Sequence, residues 1–102
     1  MIILVTVWFP PDKSIEVADK FFKQAAQPLP PVIKKWEVFA TNDGLNGMKG
    51  YHLIMTERDK GDEAMGEINQ LMGSMGSIEG FRIKFEILNG MKEMARLVKF
   101  MK

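Results

Sequence analysis

The chain has 102 residues, 46% hydrophobic and 26% charged, with 14 Lys and Arg against 13 Asp and Glu. That is the make-up of one folded domain with a modest core, and the near-cancelling charge leaves no basic arm for phosphate, so nucleic acid is not expected as a partner. With no cysteine and a single histidine, disulfides and thiolate chemistry are excluded, too few ligands remain for a conventional zinc site, and no cofactor is expected.

The opening MIILVTVWFPP is apolar, but it has no basic flank and is too short to cross a bilayer. It reads as a strand over Ile2 to Phe9, ended by Pro10-Pro11. Ile3, Val5, Val7 and Phe9 lie on one face, and Ile2, Leu4, Thr6 and Trp8 on the other. A strand apolar on both faces is covered on both. The expectation is a cytoplasmic protein without membrane association.

Asp12 or Ser14 supplies a helix cap. Ile15, Ala18, Phe22 and Ala25 recur at helical spacing and predict an amphipathic helix to about Gln27, widened by Phe21 and Ala26. Pro28-Leu-Pro-Pro31 stops it. A second strand is expected over Val32 to Thr41, with Trp36, Val38 and Ala40 on one face and Lys35, Glu37 and Phe39 on the other. Asn42-Asp43-Gly44 and Asn46-Gly47 are turn signals and predict a long hairpin loop. A third strand follows over Tyr51 to Glu57, with His52, Ile54 and Thr56 opposite Tyr51, Leu53 and Met55.

Asp59 or Asp62 starts a second helix, with Ala64, Ile68, Leu71, Met72, Met75 and Ile78 as its apolar face. Gly73 and Gly76 weaken it, so it is expected firm to Met72 and bent or ended by Gly76. In the fourth strand, Phe81, Ile83, Phe85 and Ile87 alternate with Arg82, Lys84 and Glu86, which predicts one buried face and one wet face. After Asn89-Gly90, Met91, Met94, Leu97, Val98 and Met101 follow a helical period, and Lys99 and Lys102 suit the helix end. The order is α+β: βαββαβ, the ferredoxin-like arrangement, with a C-terminal helix. The expected spatial order is 4-1-3-2, with both main helices on one side of the sheet.

The far face of the first strand then needs another cover. A homodimer with facing sheets provides it, through Leu4, Thr6 and Trp8 or through the opposite parity Val5, Val7 and Phe9.

The double-sided strand MIILVTVWF, the hairpin TNDGLNGMKG and the strand YHLIMTE make the chain resemble the dimeric α+β barrel superfamily. The resemblance is one of pattern and covers most of the chain. It implies a homodimer. Superfamily members include cofactor-free monooxygenases, haem-degrading enzymes, isomerases and stress-response proteins. The haem-degrading members use an Asn, a Trp and a ligating His on a helix, whereas His52 falls on a strand.

His52 is the one side chain that titrates near neutrality, and so the candidate catalytic or hydrogen-bonding group. Phe22, Trp36, His52 and Met72 are the expected lining of a small hydrophobic ligand site, placed near the hairpin and the glycine-rich end of the second helix. Trp8 and Trp36 are both candidates to flank an aromatic ligand. Asp59, Asp62, Glu63 and Glu67 read as helix-start acids rather than a metal cluster. Three functions compete. One is a ligand-binding or merely packing dimer. The second is a cofactor-free monooxygenase or isomerase acting on a small aromatic or lipophilic compound, with His52 or Tyr51 as polar handle. The third is a docking or regulatory module.

Overall fold

A computed structural model describes residues 1–101. The alternating run Ile2–Phe9 forms strand β1, and Pro11–Lys13 makes one tight 3-10 turn into helix α1, Ser14–Ala25. Strands β2 (Ile33–Asn42) and β3 (Met48–Thr56) form a hairpin, followed by helix α2 (Gly61–Gly73), strand β4 (Arg82–Leu88) and helix α3 (Met91–Met101). The C-terminal segment is therefore helical, as its period predicts; Lys102 lies outside the described residues.

The sheet runs β2-β3-β1-β4, and every neighbouring pair is antiparallel. Read from the other edge this is the order 4-1-3-2, with the doubly apolar β1 inside. The class is α+β, with three helices and a four-stranded antiparallel sheet among the described residues, compatible with a ferredoxin-like arrangement.

Register fixes the two faces. Ile3, Val5, Val7 and Phe9 pair with Ile54, His52, Gly50 and Met48 on β3. These residues share the face that meets Val17 of α1 and Ala64, Ile68 and Met72 of α2. Ile3, Ile54 and Ile68 are fully buried, and burying each contributes roughly 1.5–3 kcal/mol. Past Gly73 the chain tightens into a 3-10 turn, Ser74–Ser77, so Met75 and Ile78 reach the core from outside α2. The expected apolar face of the second helix is thus shared between the helix and the turn that ends it. Gln24 of α1 donates to Ser74 Oγ at 2.6 Å and Lys20 to the Ser74 carbonyl at 3.2 Å, tying the two helices together at that turn.

Several expectations are corrected. Ile15 and Phe22 do not point into the core: they are 79% and 67% exposed. Val17 and Phe21, four apart, face inward instead, because α1 presents that side to the sheet. Neither Asp12 nor Ser14 caps α1; the Ser14 hydroxyl donates back to the Pro11 carbonyl at 2.7 Å. The third strand begins at Met48 rather than Tyr51, so the hairpin loop shrinks to residues 43–47, closed by Asp43 N–H to the Gly47 carbonyl at 2.7 Å. On β4 the expected buried face is open: Ile83 and Ile87 remain exposed and only Phe85 is half-buried. Helix α3 buries none of its residues, and Met91, Met94, Leu97, Val98 and Met101 all face solvent. The radius of gyration is 15.3 Å, above the about 13 Å of a compact chain this long, as an unpacked helix requires.

Candidate functional site

The two sheet faces separate the candidate residues. Ile2, Leu4, Thr6 and Trp8 lie on the face without helices, beside Met55, Leu53, Tyr51 and Lys49. His52 lies on the helix-covered face, opposite Val5 and Val38. Tyr51 and His52 therefore cannot serve one site, and the two tryptophans are also split.

Trp8 is held at the hairpin end of the open face. Its indole N–H donates to Asp43 Oδ2 at 3.2 Å, and Lys49 and Arg82 sit over its ring, each 5.5 Å from the centroid. Thr6 is only 3% exposed, already covered by its own chain, whereas Leu4 and Trp8 remain half-exposed.

Trp36 stands on the helix side of edge strand β2. Its indole N–H donates to Nδ1 of His52 at 2.9 Å. Phe21 of α1 closes on the imidazole from the other element, edge to face, with ring centroids 5.2 Å apart; Trp36 is also edge-on, at 5.8 Å. The histidine is 4% exposed. Burial lowers its pKa from 6.5 to about 4, because an imidazolium loses its hydration there and no carboxylate among its packing partners offsets that loss. Trp36 works in the same direction: indole N–H is only a donor, so Nδ1 must be the bare nitrogen. His52 is neutral at pH 7 and carries its proton on Nε2.

Beside this imidazole lies a cleft of about 430 Å³ between α1 and the β2–β3 half of the sheet. That volume lies within the range of small-molecule sites. Val17, Phe21 and Phe22 form its helix wall, and Val38, Met48 and His52 belong to its sheet wall. Gly50 leaves the floor low, since a Cβ there would come within 3.0 Å of Val7 Cγ2. Among the described residues, the only polar side chains lining the cleft are Ser14 and His52. No described side-chain nitrogen or oxygen is both buried and unpartnered, and among the described residues none accepts from Nε2 of His52, so that nitrogen keeps some access to solvent. The space His52 lines is this cleft.

Trp36 itself lines a second hollow, about 260 Å³, roofed by Gln27, Pro28, Leu29 and Pro30 and meeting the first at Phe21. Of the four residues expected to line one ligand site, His52 and Phe22 border the larger cleft and Trp36 the smaller. Met72 is core and borders neither. Phe21 is the wall residue that sequence reasoning missed as such. Its spacing of four from Val17 was the available signal.

Among the described residues, Asp59, Asp62, Glu63 and Glu67 gather into no metal-ligand group, and no helix is long and apolar enough to cross a membrane. The sequence matches no protein-family model, and no curated protein matches it.

Proposed function

We propose that the protein binds a small hydrophobic compound in the cleft between α1 and the β2–β3 hairpin, and that it does so as a homodimer of the dimeric α+β barrel kind, built on a ferredoxin-like fold. The observation that carries the binding reading is an apolar cleft of about 430 Å³ with a buried, neutral imidazole at its wall. Mostly apolar lining with one placed polar group is the ordinary composition of a lipophile site.

The dimer reading rests on the open sheet face. Leu4 pairs with Leu53 and Ile2 with Met55 there, forming an apolar band. Ion pairs Lys35–Glu37 and Lys84–Glu86 lie at its two edges, on β2 and β4. An apolar centre with a charged rim is the anatomy of an interface.

The rival reading, a cofactor-free monooxygenase or isomerase, has less support. Removing a substrate proton needs a base, no carboxylate of the described residues lines the cleft, and the one imidazole lone pair is engaged by Trp36. A docking or regulatory role draws only on the bare α3.

Native mass spectrometry of the purified protein tests both halves. A species of twice the chain mass carrying a lipophilic adduct is expected. A bare monomer that takes up no lipophile from a mixed panel would overturn the proposal.

A further inference from the structure

We infer that His52 acts in the cleft as an obligate hydrogen-bond donor, and that the compound bound there is an uncharged lipophile carrying a carbonyl oxygen that accepts from its Nε2–H. The inference rests on the binding reading above and goes on to name the ligand chemistry.

The imidazole is a donor with no choice of nitrogen. The Trp36 N–H occupies the Nδ1 lone pair at 2.9 Å, so a neutral imidazole can hold its proton only on Nε2. Edge-to-face packing by Phe21 and Trp36 fixes the ring plane. That N–H belongs to the lining residue of a cleft whose other walls include Val17, Phe21, Phe22, Val38 and Met48. A ligand without an acceptor would strip this N–H of water and leave it unpaired, a penalty felt in full at a buried site. A ligand whose polar group can only donate would meet Nε2–H head on.

Charge narrows the class further. Among the described residues no Lys or Arg lines the cleft, so a carboxylate would lose its hydration and gain one neutral hydrogen bond in return, which does not repay an ionised group. An uncharged carbonyl loses little water and matches the donor. Ser14, the other polar side chain, is already turned back onto the Pro11 carbonyl at 2.7 Å, leaving His52 as the group that selects.

The test uses matched pairs of probes that differ only in the oxygen: α-tetralone against tetralin, and 1-indanone against indane, with 1-naphthoate as the charged arm. Dissociation constants are measured for the wild type, His52→Leu and Trp36→Phe. Comparing each pair across variants cancels the different hydration of ketone and hydrocarbon. The preference for ketone over hydrocarbon is expected to fall about tenfold in His52→Leu, the equivalent of one hydrogen bond. It should fall part of the way in Trp36→Phe, which keeps the imidazole but frees its tautomer. The naphthoate should bind weakest.

A preference unchanged in His52→Leu would overturn the donor role while leaving the cleft as a lipophile site. If neither ketone nor hydrocarbon binds, the binding reading falls and takes this one with it. Should His52→Leu fail to fold, nitrogen-15 NMR of the wild type decides. A pyridine-like Nδ1, and an Nε2 proton resonance that moves with tetralone but not with tetralin, support the inference. The reverse tautomer, or an Nε2 proton indifferent to tetralone, overturns it.

Discussion

Trp36 and His52 meet on a diagonal. In the β2–β3 register Trp36 stands opposite Ile54 and His52 opposite Val38, so the indole reaches one step along the neighbouring strand to place its N–H 2.9 Å from Nδ1. A pair directly opposite would press ring against ring. The diagonal instead turns the two rings nearly perpendicular, at 81°, and leaves the far edge of the imidazole free.

The depressed pKa of His52 makes stability depend on pH. Above the unfolded value of 6.5, both folded and unfolded chains hold the histidine neutral. As pH falls from 6.5 toward 4, the unfolded chain takes the proton first and the folded state is progressively disfavoured; the whole span amounts to about 3 kcal/mol. Urea unfolding of the wild type and of His52→Leu between about pH 7 and about pH 4.5 checks this, with the variant removing the common titration of the carboxylates. The difference between the two curves should shrink as pH falls; a constant difference contradicts the burial of a neutral imidazole.

Trp36→Phe removes the donor and leaves Nδ1 buried without its partner. A loss of about 1–3 kcal/mol is expected, and the freed lone pair should let the histidine pKa climb back toward 6.5. NMR titration of the imidazole reads the shift directly. A variant that keeps the wild-type pKa would show that burial alone sets it.

Leu4→Lys puts a charge at the centre of the open sheet face, beside Leu53, without touching the helix-side core. Light scattering should give a dimer for the wild type and a folded monomer for the variant, with unchanged circular dichroism. A wild type that is already monomeric rules out the sheet-to-sheet assembly.

Two hairpin glycines differ in a way that alanine can measure. Gly44 and Gly47 both have positive φ, +61° and +88°. A Cβ at Gly44 would meet open space, whereas one at Gly47 would lie 2.7 Å from the Phe9 carbonyl oxygen. Gly44→Ala should cost about 1–2 kcal/mol for the left-handed conformation alone. Gly47→Ala should cost clearly more, because the obstacle is backbone. Equal midpoints in chemical denaturation would contradict this placement of the hairpin against β1.

The element order and the inner place of β1 were legible, because only an inner strand has reason to be apolar on both faces and most of the turns carry Gly or Pro signals, the β3–α2 connection being marked by Asp59 instead. The face occupied by His52 was not. Over Tyr51 to Glu57 the bulkier apolar groups sit on the Tyr51 side, and burial looks equally plausible either way. Extending the strand back to Met48 settles it: Lys49 then joins Tyr51, Leu53 and Met55 and marks their side as outward. The phase of α1 misled for a different reason. Ile15, Ala18, Phe22 and Ala25 form the wider apolar stripe, yet α1 turns Val17 and Phe21 toward the sheet and leaves the stripe's edge as the lip of a cleft. Nothing local to the helix encodes how far it stands off the sheet.

The inner position of β1 also orders events during folding. Ile2–Phe9 bonds on one side to Met48–Thr56 and on the other to Arg82–Leu88, so both of its hydrogen-bonding edges wait for chain that leaves the ribosome much later. Closing such distant pairs is entropically expensive and slow. Until β4 arrives, the most apolar strand of the molecule has an unpaired edge, the form in which strands recruit other chains. A chain truncated after α2 would keep that edge for good. It should aggregate rather than survive as a smaller domain.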